Sequence, residues 1–260
     1  MTLSSRAGRP PSITGHAEAQ GAATVTGGQD AASATDSTLP DPEVEVVRST
    51  RARRVSVRVD RMTGVVRVTL PQRAPLAEVD RALLRHRRWI AARLSEAAVI
   101  RAQVQARGNT VTVWGEPLEL VEDPGRQRVH AKDGKLLVPP GRGDLLERWL
   151  RNQARAKLVP LTQEAAQTLG RPVARVSIGD AKTRWGSCTA KATITYSWRL
   201  VLAPTWVAEA IVWHEACHLV ELNHSPRFWR LLRSHEPRTD EARAWLRAHG
   251  ATLVLPGAAR

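Results

Sequence analysis

The sequence is poor in cysteine, in lysine and in aromatic residues other than tryptophan. Its 260 residues include two Cys, five Lys, one Tyr and one Phe, beside nine Trp and 34 Arg. Two cysteines cannot build a disulfide framework, and they fit a reducing compartment better. The length allows one domain or at most two, and the apolar content of 42% excludes a chain that is disordered throughout.

Long apolar stretches are also missing. The longest apolar region, 200–213, already contains Pro204, Thr205 and Glu209, which excludes a transmembrane helix. The first residues lack the apolar segment of a secretory signal. We therefore expect a cytoplasmic protein with no membrane partner.

Residues 1–42 differ in composition from the rest of the chain. Twenty-four of them are Gly, Ala, Ser or Thr, and none is aromatic. Such a segment buries too little apolar surface to offset the entropy cost of ordering. We predict a disordered low-complexity tail over 1–42, followed by a single domain over 43–260.

The first part of this domain, 43–140, is predicted to be mainly β with one helix. Alternation of apolar and polar residues over 44–49, 54–60 and 65–71 predicts three short antiparallel strands. A helix is predicted from Pro75 to beyond Ile100. Two hairpins are predicted over 110–123, turning at Gly115, and 129–139, turning at Asp133-Gly134.

The second part, 144–260, is predicted to be mainly helical. Asp144 is expected to cap a helix that runs to about Gly170. Strands are predicted over 173–179 and 192–202, followed by helices over roughly 204–221, 226–236 and 239–249. Strands early and helices late indicate an α+β fold.

One stretch of the second part, IVWHEACHLVELNHSPRFW (211–229), carries the chemistry. On a helix, His214 and His218 lie four residues apart on one face, close enough to share one metal ion. Glu215 occupies the position of a base that acts on metal-bound water. The simpler alternative is a helix whose two histidines pair with backbone groups or carboxylates.

A third histidine follows at a predicted bend between two helices. Ser225-Pro226 has the pattern of an N-cap and first helical residue. His224 therefore lies where the chain folds back, and it can offer a third nitrogen to the same metal.

The segment from Arg184 to Trp229 resembles the YgjP-like metallopeptidase domain, a family related to SprT-like proteases and other zincins. The resemblance rests on RWGSC (184–188), WRL (198–200), LAP (202–204), HEACH (214–218), NHS (223–225) and FW (228–229). With the earlier strands and helix, it spans about 44–250. Where the family often has an Asn-containing strand, this chain has Thr195-Tyr196-Ser197.

The resemblance implies a zincin-like fold with an HExxH helix and a zinc-dependent peptidase that uses a metal-activated water. His214, His218 and His224 would be the zinc ligands, and Glu215 the catalytic base. The oxyanion that forms needs a further positive or donor group, for which Arg184, Tyr196 and Arg199 are candidates. Strand 192–202 could offer a sheet edge to an extended peptide substrate.

Other functions stay open at this stage. The metal could serve a phosphohydrolase acting on nucleotides, or it could be structural in a nucleic-acid-associated protein. The net charge of +14, and fourteen Arg against six acids over 43–105, make nucleic acid a possible partner. However, Arg outnumbers Lys 34 to 5, which indicates a codon bias that loads every surface with arginine. Cys188 and Cys217 are interpreted as buried free thiols.

Overall fold

The computed structural model describes residues 42–181 and 183–256. The predicted tail over 1–42 lies, except for Pro42, outside the described residues. Five α-helices are present in the described part: α1 Ala77–Ala106, α2 Gly143–Thr168, α3 Thr205–Cys217, α4 Pro226–His235 and α5 Thr239–His249. Ten strands are described as well: β1 Val44–Ser49, β2 Ser56–Val59, β3 Val66–Pro71, β4 Thr110–Val113, β5 Glu116–Glu122, β6 His130–Lys132, β7 Lys135–Val138, β8 Arg175–Gly179, β9 Gly186–Cys188 and β10 Thr193–Ser197. The mixed α+β class predicted from the sequence is confirmed.

The first three strands form a sheet in the order β1-β3-β2. β2 and β3 are antiparallel, but β1 runs parallel to β3, so the prediction of three antiparallel strands is wrong for β1. Alternating residues could not reveal this, because alternation is the same in parallel and antiparallel pairs. Val66, Val68 and Leu70 of β3 are buried against α1, which gives this part of the chain its own small core.

The two predicted hairpins are both confirmed and belong to one four-stranded sheet, β4-β5-β7-β6. Their turns are Trp114-Gly115 and Asp133-Gly134, and all four residues have positive φ. Two-residue turns with positive φ at both positions match the twist of antiparallel strands. A hydrogen bond stabilises the positive φ of Trp114. The backbone N–H of this residue donates to the carbonyl of Val201 at 2.8 Å.

The third sheet has the order β8-β10-β9. β10 ends at Ser197, and a short 3₁₀ helix over Trp198–Leu202 replaces the rest of the strand predicted over 192–202. β10 pairs with β8 on one side and with β9 on the other. The expected free sheet edge is therefore not on β10, because both of its sides are occupied. The edge strand next to α3 is β9.

The main core lies between this third sheet and the helices α2 and α3. Leu150 and Leu158 of α2 pack with Ile194 of β10 and with Val207 and Ile211 of α3, all fully buried. α2 begins at Gly143 with Arg142 at its N-cap position, so Asp144 is not the cap. Asp144 instead pairs with the Arg142 guanidinium at 2.8 Å. Within the described part of the chain, none of the helices combines the length and apolarity needed to cross a membrane.

Candidate metal centre

α3 is apolar on all sides and passes through the main core. It starts after Pro204 and ends at Cys217, and nine of its thirteen residues are buried. The sequence predicted a helix to about residue 221, but His218 occupies the C-cap position. The chain tightens there, since Leu219 and Val220 donate to carbonyls only three residues back, those of Ala216 and Cys217. This tight turn brings the chain back toward the helix end.

The return of the chain forms the elbow that the sequence predicted. Ser225 is the N-cap of α4 and its hydroxyl accepts a hydrogen bond from the backbone N–H of Phe228 at 3.3 Å. Pro226 follows at the first helical position, where its missing N–H is not needed. His224 precedes the cap and is thereby directed at the end of α3.

The three histidine rings meet at this elbow. Their centroids are 5.0 Å apart for His214 and His218, 4.9 Å for His214 and His224, and 4.8 Å for His218 and His224. One ring nitrogen from each residue lies within 4.8 Å of the others. The Nε2 atoms of His214 and His224 are 3.0 Å apart. Two nitrogens bound to one tetrahedral zinc lie about 3.3 Å apart, so the observed spacing is close to that of a ligand pair.

The protonation states of His218 and His224 are also those that metal binding requires. Nδ1 of His218 lies 2.9 Å from the carbonyl oxygen of Glu221. A carbonyl only accepts, so Nδ1 of the neutral ring carries the proton and Nε2 has the lone pair that a metal requires. Burial is the main cause that lowers the pKa of His224 to about 4, and the neighbouring His218 acts in the same direction. This imidazole is therefore neutral at pH 7. The three residues could hold a metal ion.

Glu215 directly follows His214 on α3, and its side chain lies against Gly186 of β9. Its side chain is fully buried, and neither carboxylate oxygen has a hydrogen-bond partner among the described residues. Burial raises the pKa of Glu215 to about 8, while the positive charge of Arg184 acts in the opposite direction. A buried carboxyl group without partners is costly in a purely structural role. The donor set and this orphaned carboxyl together fit a catalytic metal centre.

Two aromatic residues of α4 hold the histidines in place, and sequence reasoning assigned neither to the site. The ring of Phe228 stacks on His218 with centroids 4.5 Å apart. Trp229 stacks on His224 at 5.3 Å, so it packs against a candidate ligand and not simply against the core. The signal that could have found them is their position in the first turn of a helix whose cap directly follows His224.

The structure separates the three candidates for stabilising an oxyanion. Tyr196 is fully buried and its hydroxyl lies 3.0 Å from Oγ1 of Thr162. Arg199 pairs with Asp180 and lies over the Trp198 ring. Arg184 is exposed, forms no salt bridge with a described residue, and is the candidate whose charge acts on Glu215. Tyr196 and Arg199 thus have partners within the fold, whereas Arg184 has no salt-bridge partner among the described residues.

The assignment of Tyr196 to the core is testable by Tyr196→Phe. We expect the free energy of unfolding to fall by about 1 kcal/mol, because a buried hydrogen bond to Thr162 is lost. We expect kcat to stay at the wild-type value, because the hydroxyl is buried and paired with Thr162 in the core. Urea denaturation and steady-state kinetics measure the two effects, and a large fall in kcat at unchanged stability would contradict the assignment.

The two cysteines are free thiols outside the histidine cluster. Cys217 is fully buried with Phe228 and Leu232, and burial raises its pKa to about 12. Burial, and then the charge of Glu215, raises the pKa of the half-buried Cys188 to about 11. Among the described residues, neither thiol belongs to the group of side chains that could hold a metal ion. The prediction that Cys217 is a buried free thiol is confirmed, and Cys188 is less buried than predicted.

A buried histidine cluster with an adjacent carboxyl group is the kind of site that metal-dependent hydrolases use. The sequence model described as "YgjP-like, metallopeptidase domain" matches residues 53–249, which is more than half of the chain. The chain belongs to this family, as its motifs predicted, and the family supports a metal-dependent hydrolase. Comparison with curated proteins gives no match. Comparison with solved structures gives none either.

Proposed function

We propose that the protein is a zinc-dependent peptidase whose metal is held by His214, His218 and His224 and whose general base is Glu215. One observation carries the proposal: three imidazole nitrogens converge within 4.8 Å of one another at the end of α3, the helix that also carries a buried carboxyl group with no hydrogen-bond partner among the described residues. Membership of a metallopeptidase family supports the same reaction.

The chemistry divides between the metal and the protein. When bound, zinc supplies a Lewis acid that acidifies water and polarises a carbonyl group. Glu215 takes a proton from the attacking water and delivers it to the leaving amine. Its buried position suits this role, because burial raises the pKa of Glu215 to about 8, which makes its carboxylate a stronger base toward water than an exposed carboxylate.

The substrate strand would add to β9 and not to β10. β9 is the edge strand of its sheet, and Gly186 at its start lies against the Glu215 side chain. An extended peptide that pairs with a sheet edge is held by main-chain hydrogen bonds. Pairing at this edge would bring a peptide bond next to the candidate base, which favours a peptide substrate over a nucleotide.

A substrate comparison tests the proposal. Zinc-loaded protein is incubated with an unfolded protein substrate, with a library of short peptides and with nucleoside triphosphates. New peptide amino termini that are absent with the Glu215→Gln variant are expected. Release of phosphate or pyrophosphate without peptide cleavage would instead identify the phosphohydrolase alternative, and no hydrolysis of any substrate would support a structural metal.

Arg184 is proposed to stabilise the developing oxyanion. Arg184→Ala is expected to lower kcat by about 10²-fold, the loss typical of removing one such donor, with unchanged zinc content. Arg175→Ala is the matched control, since Arg175 is an exposed arginine on β8, the far edge strand of the same sheet. Equal kcat values for the two variants would exclude Arg184 from the reaction.

Nucleic acid as a partner stays a prediction. Seven arginines of the first part of the domain are exposed and form no salt bridge with a described residue: Arg51, Arg53, Arg54, Arg58, Arg85, Arg87 and Arg88. Unpaired guanidinium groups are available to a polyanion, which supports the prediction without specifying the ligand.

A further inference from the structure

Gly186 lies closer to Glu215 than any other residue type would allow. A Cβ atom added to Gly186 would be 2.6 Å from both Cγ and Oε1 of Glu215 and 2.8 Å from its Cδ. Carbon and oxygen atoms that are not bonded do not approach so closely without a large steric cost. The Glu215 carboxyl group therefore occupies the space that a side chain at position 186 would take.

The backbone conformation does not explain the glycine. Gly186 is not among the residues with positive φ, and it pairs with Tyr196 in the antiparallel ladder between β9 and β10. Any residue adopts this conformation, and glycine inside a strand costs stability relative to other residues. A strand glycine at such a place often marks the close approach of another group, which here is the Glu215 side chain.

β9 cannot retreat to make room for a side chain. The carbonyl of Trp185 accepts a hydrogen bond from the backbone N–H of Ser197 at 2.8 Å. The Trp185 ring is pressed against Gly250, where an added Cβ would lie 2.8 Å from the ring. On the inner side, β10 is anchored through the fully buried Tyr196. The hydrogen bond to Ser197 and the contact of the Trp185 ring with Gly250 hold this part of β9 in place, so the Glu215 carboxyl group would have to move.

We infer that Gly186 is a positioning residue: its missing side chain sets where the Glu215 carboxyl group lies beside the three histidines. The inference rests on the proposed function for its catalytic consequence, but the displacement itself does not require activity. The histidines lie on α3 and the elbow after it and not on β9, so a shift confined to the Glu215 side chain leaves their geometry unchanged. The variant Gly186→Ala therefore separates the position of the base from the binding of the metal.

The experiment compares Gly186→Ala with Gly179→Ala. Gly179 is the matched control, because it lies on β8 of the same sheet and an added Cβ would be 3.4 Å from Cγ2 of Thr195, an ordinary contact. Crystal structures, zinc dissociation constants from competition with a chelator, melting temperatures, kcat and KM are measured for both variants and the wild type.

For Gly186→Ala we expect a displaced Glu215 carboxyl group, an unchanged zinc dissociation constant and unchanged KM. We expect kcat to fall by about 10²-fold, the loss typical of a misplacement of about 1 Å in an active site. Gly179→Ala is expected to behave as wild type in all five measurements. An unmoved carboxyl group in Gly186→Ala, or equal kcat values for the two variants, would overturn the inference.

A second pair of variants covers the case in which Gly186→Ala is unstable. Glu215→Ala removes the group with which the new Cβ collides, so the double variant is expected to lose less stability than the sum of the two single variants. Strictly additive changes in the melting temperature would overturn the inference. If the wild type hydrolyses no substrate, the proposed function fails, while the crystal structures and melting temperatures still decide the role of Gly186.

Discussion

Replacing Glu215 by glutamine is expected to lower kcat by orders of magnitude and to leave the metal and the fold in place. Glutamine has nearly the same shape as glutamate but cannot accept a proton from water. General base catalysis contributes about 10² to 10⁴-fold to the rate, and kcat is expected to fall by that factor. The measurement is steady-state cleavage of the substrate identified in the comparison of peptides and nucleotides.

The fold should tolerate this variant because Glu215 makes no hydrogen bond to a described residue. Its zinc content and melting temperature are expected to equal those of the wild type, since the amide has nearly the shape of the carboxyl group. Glu209→Gln is the matched control, because Glu209 lies on the same helix and outside the histidine cluster. If Glu215→Gln cleaved substrate as fast as Glu209→Gln, Glu215 would not be the base.

Removing the third histidine is expected to release the metal. A site with three imidazoles that loses one keeps too few protein ligands for a stable tetrahedral centre. His224→Ala protein is therefore expected to contain far less than one equivalent of zinc after dialysis and to lose activity to the same extent. Elemental analysis of purified protein measures the zinc directly.

The increase in the free energy of unfolding on zinc binding is a second measure of the loss of the metal in His224→Ala. Zinc at a hundredfold excess over its dissociation constant is expected to raise the free energy of unfolding of the wild type by about 2.7 kcal/mol. His224→Ala at the same zinc concentration should show little of this gain, whereas His130→Ala, which changes an exposed histidine on β6, should show all of it. Full zinc content in His224→Ala would exclude a three-histidine site.

The histidine cluster could be predicted because its residues are close together in the chain. Two histidines four residues apart meet wherever a helix forms, and a Ser-Pro pair at a helix start orients the residue before it. The three rings accordingly lie where their spacing indicated. The exact helix end could not be predicted, because the tight turn after Cys217 depends on how the last carbonyl groups are satisfied.

The roles of the surrounding residues could not be predicted in the same way. Tyr196, Arg199 and Arg184 were equal candidates in the sequence, and each has the chemistry to stabilise a negative charge. Their partners Thr162 and Asp180 lie 34 and 19 residues away from Tyr196 and Arg199 in the chain. Only a fold that brings these partners together distinguishes a structural hydroxyl or guanidinium group from one that faces the site.

By itself, the sequence determined the α+β class, the two tight hairpins, the family and the three-histidine elbow with its carboxylate. All of these depend on residue types and spacings over a few turns of helix or strand, for which local geometry is sufficient. Only the tertiary structure decided that β1 runs parallel to β3, that β9 and not β10 is the sheet edge, and that Gly186 lies against Glu215. These features arise where distant segments pack together, and the energy of packing depends on neighbours that no local pattern specifies.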